Sequence, residues 1–178
     1  MYFAWNLTNE QDDFLLIAKE LEQNRLRQGW GKNGMDIRLP LKNFQTIFTM
    51  ANWGNSKKAE GIYNRLRKML EIQVGDTIIV KGYIKGKDYY VPCGFSIVEC
   101  TKTYDFVPLI NGNYDCFGHF IEVKYIDSYE YFTTNTKLGN SLWGYRDSIK
   151  RINDKNILNF LGLLKANGNF AKELISWL

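Results

Sequence analysis

The sequence predicts a single α+β domain in which helices flank a small twisted β-barrel. Amphipathic helical patterns dominate the first part of the chain, and from Gly75-Asp76 onward the pattern changes to short β-branched and aromatic runs between glycine-rich turns. Hydrophobic residues make up 45% of the 178 positions, which is enough for the core of one domain. We therefore expect one domain over residues 1–178, with residues 135–178 as a helical extension.

Each element follows from a local pattern. Short apolar runs predict strands at Tyr2 to Asn6, Arg25 to Gln28, Thr77 to Lys81, Tyr89 to Pro92, Gly94 to Cys100 and Phe117 to Ile126. Apolar residues at helical spacing predict helices after a capping box at Thr8, from Leu41 to Phe48, from Ser56 to Leu70, and around Leu142 to Ile152, Asn156 to Leu164 and Phe170 to Leu178. The sequence shows neither a repeat nor a low-complexity tract.

Several classes of protein do not fit the composition. No run approaches the roughly 20 apolar residues of a membrane span, and the N-terminus lacks the basic flank and cleavage site of a signal peptide, so we expect a cytoplasmic protein without a membrane partner. The sequence has three cysteines, an odd number, and no C-x-x-C pair; they are Cys93, Cys100 and Cys116. We therefore expect no disulfide framework, no metal and no cofactor.

Charge and aromatic content favour an anionic, planar partner, although each also has an ordinary explanation. The net charge is +4 with a pI near 8.8, and 15% of the residues are aromatic. Aromatic side chains stack on bases, but they also fill cores. The basic face of the Ser56 helix can likewise contact phosphates or simply face solvent.

Trp30 is the most distinctive aromatic residue, because it lies between Gly29 and Gly31. Glycines on both sides allow a tight turn and leave the indole uncovered by neighbouring side chains. The alternative is an indole buried between helix and sheet.

The order of segments resembles the EVE-like branch of the PUA superfamily, especially versions attached to modification-dependent restriction systems. The resemblance spans residues 1–126 and continues in a helical close near Leu138 to Leu163. The motifs that carry it are Trp5, the turn Arg27 to Gly31 followed by Met35-Asp36-Ile37, the strand Gly75 to Val80, and Tyr104-x-Phe106 with Gly118 to Val123.

This resemblance implies a barrel that accepts an extruded, modified base in an aromatic pocket. Trp30 would form the stacking wall, and Asp36 would accept a hydrogen bond from an exocyclic amine unless it caps a turn. Tyr104 and Phe106 alternate along an extended segment and so face one side, either as pocket walls or as core. The full expected base-contacting set is Trp5, Trp30, Asp36, Trp53, Tyr104 and Phe106.

The expected partner is nucleic acid, with DNA favoured over RNA. Phosphate contacts would supply affinity without sequence preference. The candidates are Arg25, Arg27, Lys57, Lys58, Arg65, Arg67 and Lys68. The chain carries no nuclease or motor domain, so a reader in a restriction or defence system would act by occlusion or with a separate nuclease or effector chain.

Two other functions remain open. Asp115 with Glu122-Val123-Lys124 loosely imitates a metal-dependent nuclease site, but the spacing is short and the Glu122 run alternates like an ordinary strand. His119 is the only histidine and is expected to be structural, and neither a phosphate-binding loop nor a nucleophile elbow is present, so we expect no enzyme. A protein-interaction module of a bacterial or phage defence system would favour the same Tyr, Trp and Arg residues.

Overall fold

A computed structural model describes residues 1–92, 94–109, 116–130, 148–153 and 155, and these residues form an α+β fold. The strands are β1 (Tyr2–Asn6), β2 (Arg25–Gln28), β3 (Thr77–Lys81), β4 (Gly94–Phe106), β5 (His119–Glu130) and β6 (Ile149–Ile152). The α-helices are α1 (Gln11–Glu22), α2 (Leu41–Met50) and α3 (Ser56–Leu66), and a 3-10 helix, Arg67–Glu71, follows α3 directly.

The strands form one mixed sheet with the order β2-β5-β4-β3-β1-β6. β1 pairs in parallel with β3, in the register Phe3 opposite Ile78, and the other neighbouring strands pair antiparallel. The segment between β1 and β3 contains the three α-helices, because a parallel pair needs a long crossover connection.

The sheet curls so that its two outer strands approach each other. β2 and β6 stand at opposite ends of the strand order, yet Gln28 at the end of β2 and Ile149 at the start of β6 line the same cavity of about 150 Å³. Ile62 and Leu66 of α3 line it as well. The sheet is therefore a half-barrel with α3 across the opening.

The core lies between the helices and the inner face of this sheet. It contains Phe14 of α1, Phe44 and Phe48 of α2, and Trp5 and Ile78 of the central strands. The middle three residues of β1 and of β3 are all buried, so both faces of the sheet centre are covered. Strands buried on both faces appear as continuous apolar runs in a sequence, which is why both were predictable.

Most predicted elements are confirmed, and two are wrong. Tyr89 to Pro92 is not a strand, since the amide of Val91 bonds the Gly82 carbonyl and the amide of Gly94 bonds the Val91 carbonyl, which makes a turn. Ile149–Ile152 was expected within a helix and is instead the strand β6, paired with β1. The helices expected from Asn156 onward lie outside the described residues. No helix in the described parts of the chain is long and apolar enough to cross a membrane.

Candidate ligand-binding cavity

A cavity of about 490 Å³ opens where β1 and β2 end, beside the first half of α1. Its volume lies within the range of pockets that hold small ligands or ligand fragments, about 300–1,000 Å³. Segments that are far apart in the sequence meet around it. The lining residues on which the argument depends are Asn6, Asp13, Gln28, Trp30, Trp53 and Phe117.

Two indoles form adjoining walls of the cavity. The ring centroids of Trp30 and Trp53 are 5.3 Å apart with an interplanar angle of 82°, so the planes are nearly perpendicular. Phe48 of α2 packs against both rings, at 5.5 Å from Trp30 and 5.7 Å from Trp53. Both indoles are half-buried, with part of their surface on the core and part on the cavity. This is the arrangement expected of a stacking site with a rigid support.

The backbone of Trp30 is in the left-handed region, with φ of 67°. For a bulky residue that is not glycine, this conformation costs about 1–3 kcal/mol and persists only where the surroundings enforce it. Trp30 lies two residues after the end of β2, and the unusual φ changes the direction in which its indole leaves the chain. The strain therefore lies at the residue that forms a wall of the cavity.

Gly31 lets this turn pack against the segment that precedes β5. Its amide donates to the Cys116 carbonyl at 2.5 Å, and its carbonyl accepts from the Gly118 amide at 3.0 Å. A Cβ on Gly31 would lie 2.6 Å from the Gly118 nitrogen, and one on Gly118 would lie 2.3 Å from the Gly31 oxygen. Both positions require glycine because two backbones cross there.

A chain of hydrogen bonds reaches from the surface to the carbonyl of Trp30. His119 Nε2 is 3.2 Å from that carbonyl, and His119 Nδ1 is 2.9 Å from the Tyr104 hydroxyl. Tyr104 also lies 3.2 Å from Asp36 Oδ1, and Arg38 holds both oxygens of Asp36 through its guanidinium. Because a carbonyl only accepts, we assign the ring proton of His119 to Nε2, so that Nδ1 and the Asp36 carboxylate share the single hydroxyl proton of Tyr104.

Burial determines the charge states along this chain. It lowers the pKa of His119 to about 4, so the imidazole is neutral at physiological pH. Burial also raises the pKa of Tyr104, which keeps its hydroxyl a donor. Burial alone would raise the pKa of Asp36, but the hydrogen bonds from Arg38 outweigh it, and the net pKa is lowered, so the carboxyl is ionised.

Two polar groups on the cavity lack an obvious structural purpose. The Oδ1 atom of Asn6 is buried and meets no hydrogen-bond donor among the described residues. Asp13 is half-buried, and burial together with Glu10 and Asp12 raises its pKa. An unpaired buried acceptor costs about 1–3 kcal/mol unless water or a ligand supplies a donor, so Asn6 is a candidate contact for a polar ligand.

Basic side chains stand beside the two indoles. The amine of Lys58 on α3 donates to the Trp53 carbonyl at 2.8 Å and lies 5.7 Å from the centre of the Trp30 ring. The amine of Lys32 lies 5.2 Å from the centre of the Trp53 ring. Arg65 lines the smaller cavity next to Trp30. On the other side, Glu10, Asp12 and Asp13 give the first turn of α1 an acidic surface.

The structure brings together some of the residues that the sequence singles out. Trp30, Trp53 and Lys58 meet at the cavity, and Arg65 lines the adjoining one. Lys57 and Arg67 are exposed, and Lys68 is half-buried, away from the cavity lining. Trp5 is completely buried in the core.

Other predicted site residues have partners within the protein. Tyr104 and Phe106 contact His119 behind the Trp30 backbone, with the Phe106 ring centroid 5.1 Å from that of the imidazole at an interplanar angle of 54°, and Asp36 contacts Tyr104. Arg27 is 3% exposed and donates to Glu20 and to the Val107 and Phe117 carbonyls. Arg25 forms a two-point ion pair with Glu20. We therefore leave Arg25 and Arg27 out of the site.

Sequence reasoning missed Asn6, Asp13 and Lys32. Asn6 is the polar residue that ends an apolar strand, but the pairing of β1 with β3 that positions this end is a contact between distant segments and is not visible in a local pattern. Lys32 lies two residues after Trp30 in a segment without periodicity. Nothing in the sequence associates it with Trp53.

Among the described residues, the structure does not arrange the acidic side chains that a metal-dependent nuclease site would need. Asp115 lies outside the described residues, and Glu122 pairs with Lys102 at 3.2 Å. Among the described residues, no group of three or more His, Cys, Asp or Glu side chains could hold a metal ion.

Comparison of the sequence with protein-family models gives no match, and comparison with curated proteins gives no significant match either. The residues that line the cavity are therefore the basis for its proposed chemistry.

Proposed function

We propose that this protein binds nucleic acid and reads a modified base that is flipped into the cavity lined by Trp30 and Trp53. The observation that carries the proposal is the perpendicular indole pair on a cavity of about 490 Å³ that also contains the unpaired Asn6 acceptor. The curled sheet would then be the PUA-like barrel that the sequence resembles.

The indoles supply the energy that base flipping requires. Unstacking a base from a duplex costs a few kcal/mol, and stacking on an aromatic side chain returns about 1–3 kcal/mol per base. One indole would stack on the base, and the perpendicular one would contact its edge, where a methyl group or a similar addition lies. The second contact is the one that distinguishes a modified base.

The Asn6 acceptor supplies recognition of the base edge. An acceptor that is already desolvated favours a ligand with a donor N–H at that position and rejects one that presents another acceptor. Exocyclic amino groups of adenine and cytosine are such donors. Asp13, on the same cavity, would accept a second hydrogen bond or donate one when protonated.

The charges around the cavity give the nucleic acid a preferred path. Lys32, Lys58 and Arg65 would contact phosphates on the α3 side, whereas Glu10 and Asp12 would repel them on the α1 side. In this proposal the sugar-phosphate backbone of the nucleic acid crosses the domain over α3 and not over α1.

The cellular context is also a proposal, and it rests on the resemblance alone. A cytoplasmic reader without catalytic groups of its own would act in restriction or defence, either by occlusion or by recruiting a separate nuclease chain.

A protein-interaction module is the second candidate, and one observation favours it. Perpendicular indoles beside a carboxylate also bind methylated ammonium groups, and Asp13 lies on this cavity. The lysine amines beside both indoles argue against it, because they would repel a cationic ligand. We therefore favour a neutral, planar ligand.

The test is binding of short single- and double-stranded DNA and RNA, unmodified or with N6-methyladenine, 5-methylcytosine or 5-hydroxymethylcytosine, at two salt concentrations. We expect one modified oligonucleotide to bind best and Trp30→Ala to remove that preference. A trimethyl-lysine peptide in the same assay tests the second candidate.

Tyr89→Ala is the matched control, because Tyr89 is an exposed aromatic residue that does not line the cavity. It should leave both the affinity and the preference unchanged. Absence of salt-sensitive binding to every oligonucleotide would refute the proposal, and binding of the peptide would replace it with the second candidate.

A further inference from the structure

The orientation of Trp30 depends on a group at its backbone as well as on the rings that it touches. Among the described residues, His119 is the hydrogen-bond donor to the Trp30 carbonyl. The neighbouring backbone groups are already committed, since the Gly31 amide bonds Cys116 and the Gly118 amide bonds Gly31. The left-handed turn is thus fixed at its carbonyl by one side chain.

We propose that Tyr104 and His119 are positioning residues that hold the Trp30 indole in place as a wall of the cavity and so set the preference for the modified base. The effect on preference rests on the proposed function, whereas the effect on the orientation of Trp30 does not. Neither residue lines the cavity, so both would act through Trp30.

Tyr104 determines which nitrogen of His119 can act as the donor. Its hydroxyl lies 2.9 Å from Nδ1, and donation from the hydroxyl to Nδ1 favours the tautomer with the ring proton on Nε2. The hydroxyl oxygen accepts from the Ile37 amide at 3.4 Å, and Asp36 Oδ1 at 3.2 Å is the second acceptor of the hydroxyl proton. Loss of this hydroxyl would leave the imidazole free to adopt the other tautomer, which cannot donate to Trp30.

The packing of Trp30 makes its position sensitive to this bond. Phe48 and Trp53 contact the indole, but the cavity leaves part of it unsupported. A left-handed residue without its carbonyl partner has a competing extended conformation, which would move the indole. A stacking wall that moves by a fraction of a ring width loses contact with the edge of the ligand.

The first experiment uses Tyr104→Phe, which keeps the ring and removes the hydroxyl. Tryptophan is replaced by 5-fluorotryptophan, and the ¹⁹F resonances of Trp30 and Trp53 are assigned with Trp30→Phe and Trp53→Phe. We expect the Trp30 resonance to shift or broaden without ligand, and the affinity for the preferred modified oligonucleotide to fall about tenfold while unmodified binding changes little.

Ile79→Val is the control for a general loss of stability. Ile79 is a buried residue of β3 that neither lines the cavity nor belongs to the hydrogen-bond chain. At a similar loss of thermal stability, it should leave the Trp30 resonance and the preference unchanged. A second pair, His119→Gln and His119→Met, separates the donor from the packing, because only glutamine can still donate to the Trp30 carbonyl.

The outcomes distinguish this inference from the proposed function. The inference is overturned if Tyr104→Phe leaves the Trp30 resonance in place, or if Ile79→Val moves it equally, or if His119→Gln behaves like His119→Met. If the wild-type protein binds no oligonucleotide, the proposed function fails, and the resonance of Trp30 still decides the positioning role.

Discussion

At the scale of single residues, the cavity has two unusual features, although Trp5 Nε1 in the core is also unpaired and Asn24 and Asn52 also have positive φ. Buried polar atoms are normally paired, yet Asn6 Oδ1 has no partner among the described residues. Bulky residues normally avoid positive φ, yet Trp30 adopts it. Both departures occur on one cavity, and such departures concentrate at functional sites. They are the strongest local indication of a binding site.

Asn6→Ala should separate binding from stability. The substitution removes an acceptor that the proposed ligand would satisfy and that has no partner among the described residues. We expect affinity for the preferred oligonucleotide to fall about tenfold, with a melting temperature that stays the same or rises. Titration and thermal denaturation of the two proteins check this, and a lower melting temperature would show that Asn6 supports the fold.

His119 should make the protein less stable as the pH falls. The pKa of this residue is lowered to about 4 from 6.5, so below pH 6.5 the unfolded chain takes up a proton that the folded chain refuses. The free energy of unfolding should therefore drop between about pH 6.5 and 4, by roughly 3 kcal/mol at most.

Chemical denaturation at several pH values measures this effect, with His119→Gln as the comparison. Glu20 and Asp36 have lowered pKa values, so their contributions are lost at still lower pH in both proteins. The difference between the two curves then reports the titration of His119 together with its coupling to Asp36. Parallel curves through this pH range would contradict a buried neutral imidazole.

At the scale of elements, β2 is held in place by charge as well as by backbone pairing. Burial would raise the pKa of Glu20, but hydrogen bonds from Arg25 and Arg27 outweigh it and lower the pKa. Glu20 belongs to α1, so this ion pair ties α1 to β2. From the sequence alone, the guanidinium groups of Arg25 and Arg27 suggest phosphate contacts. Their actual partner lies on the preceding helix.

Gly31→Ala tests the crossing of the two backbone segments beside Trp30. The new Cβ would meet the Gly118 nitrogen at 2.6 Å and His119 Cδ2 at 2.9 Å, and backbone atoms cannot yield. We expect the free energy of unfolding to fall by roughly 2–4 kcal/mol. Chemical denaturation measures it.

Gly61→Ala is the matched control for this substitution. Gly61 lies within α3, and a Cβ there would meet nothing within 4 Å. Alanine should therefore stabilise the helix by roughly 0.5–1 kcal/mol. An equal effect of the two substitutions would mean that the crossing is looser than the structure indicates.

At the scale of the whole molecule, charge is distributed unevenly around the cavity. The net charge is +4, but the site has lysines on the side of α3 and carboxylates at the start of α1. Such an arrangement would orient the proposed anionic partner during its approach. Composition alone predicts the sign of the partner's charge, but it does not predict the route that the partner takes across the surface.

Salt dependence should reveal that path. Each lysine that neutralises a phosphate adds about 0.7–0.9 to the slope of log affinity against log salt. Lys32→Ala and Lys58→Ala should each reduce the slope by about that amount. Lys124→Ala, an exposed residue of β5 away from the cavity lining, should not. Equal slopes in all four proteins would exclude the α3 side as the phosphate path.

The sequence by itself determined the elements whose patterns are local. β1, α1, β2, α2, α3 and β3 were all predictable, because apolar periodicity and continuous apolar runs are properties of short segments. The same reasoning selected Trp30, since its flanking glycines are visible in the sequence. It failed at Ile149–Ile152, because four residues are too few to distinguish a strand from a helical turn.

Only the tertiary structure decided which side chains share the cavity. Asn6, Asp13, Trp30 and Trp53 meet because the sheet curls and the helices cross between β1 and β3. The same packing turned Asp36 and Tyr104 towards His119, behind the wall and not into the cavity. The physical reason is that strand pairing and the crossing of backbones join residues far apart in the chain, and local patterns contain no information about such contacts.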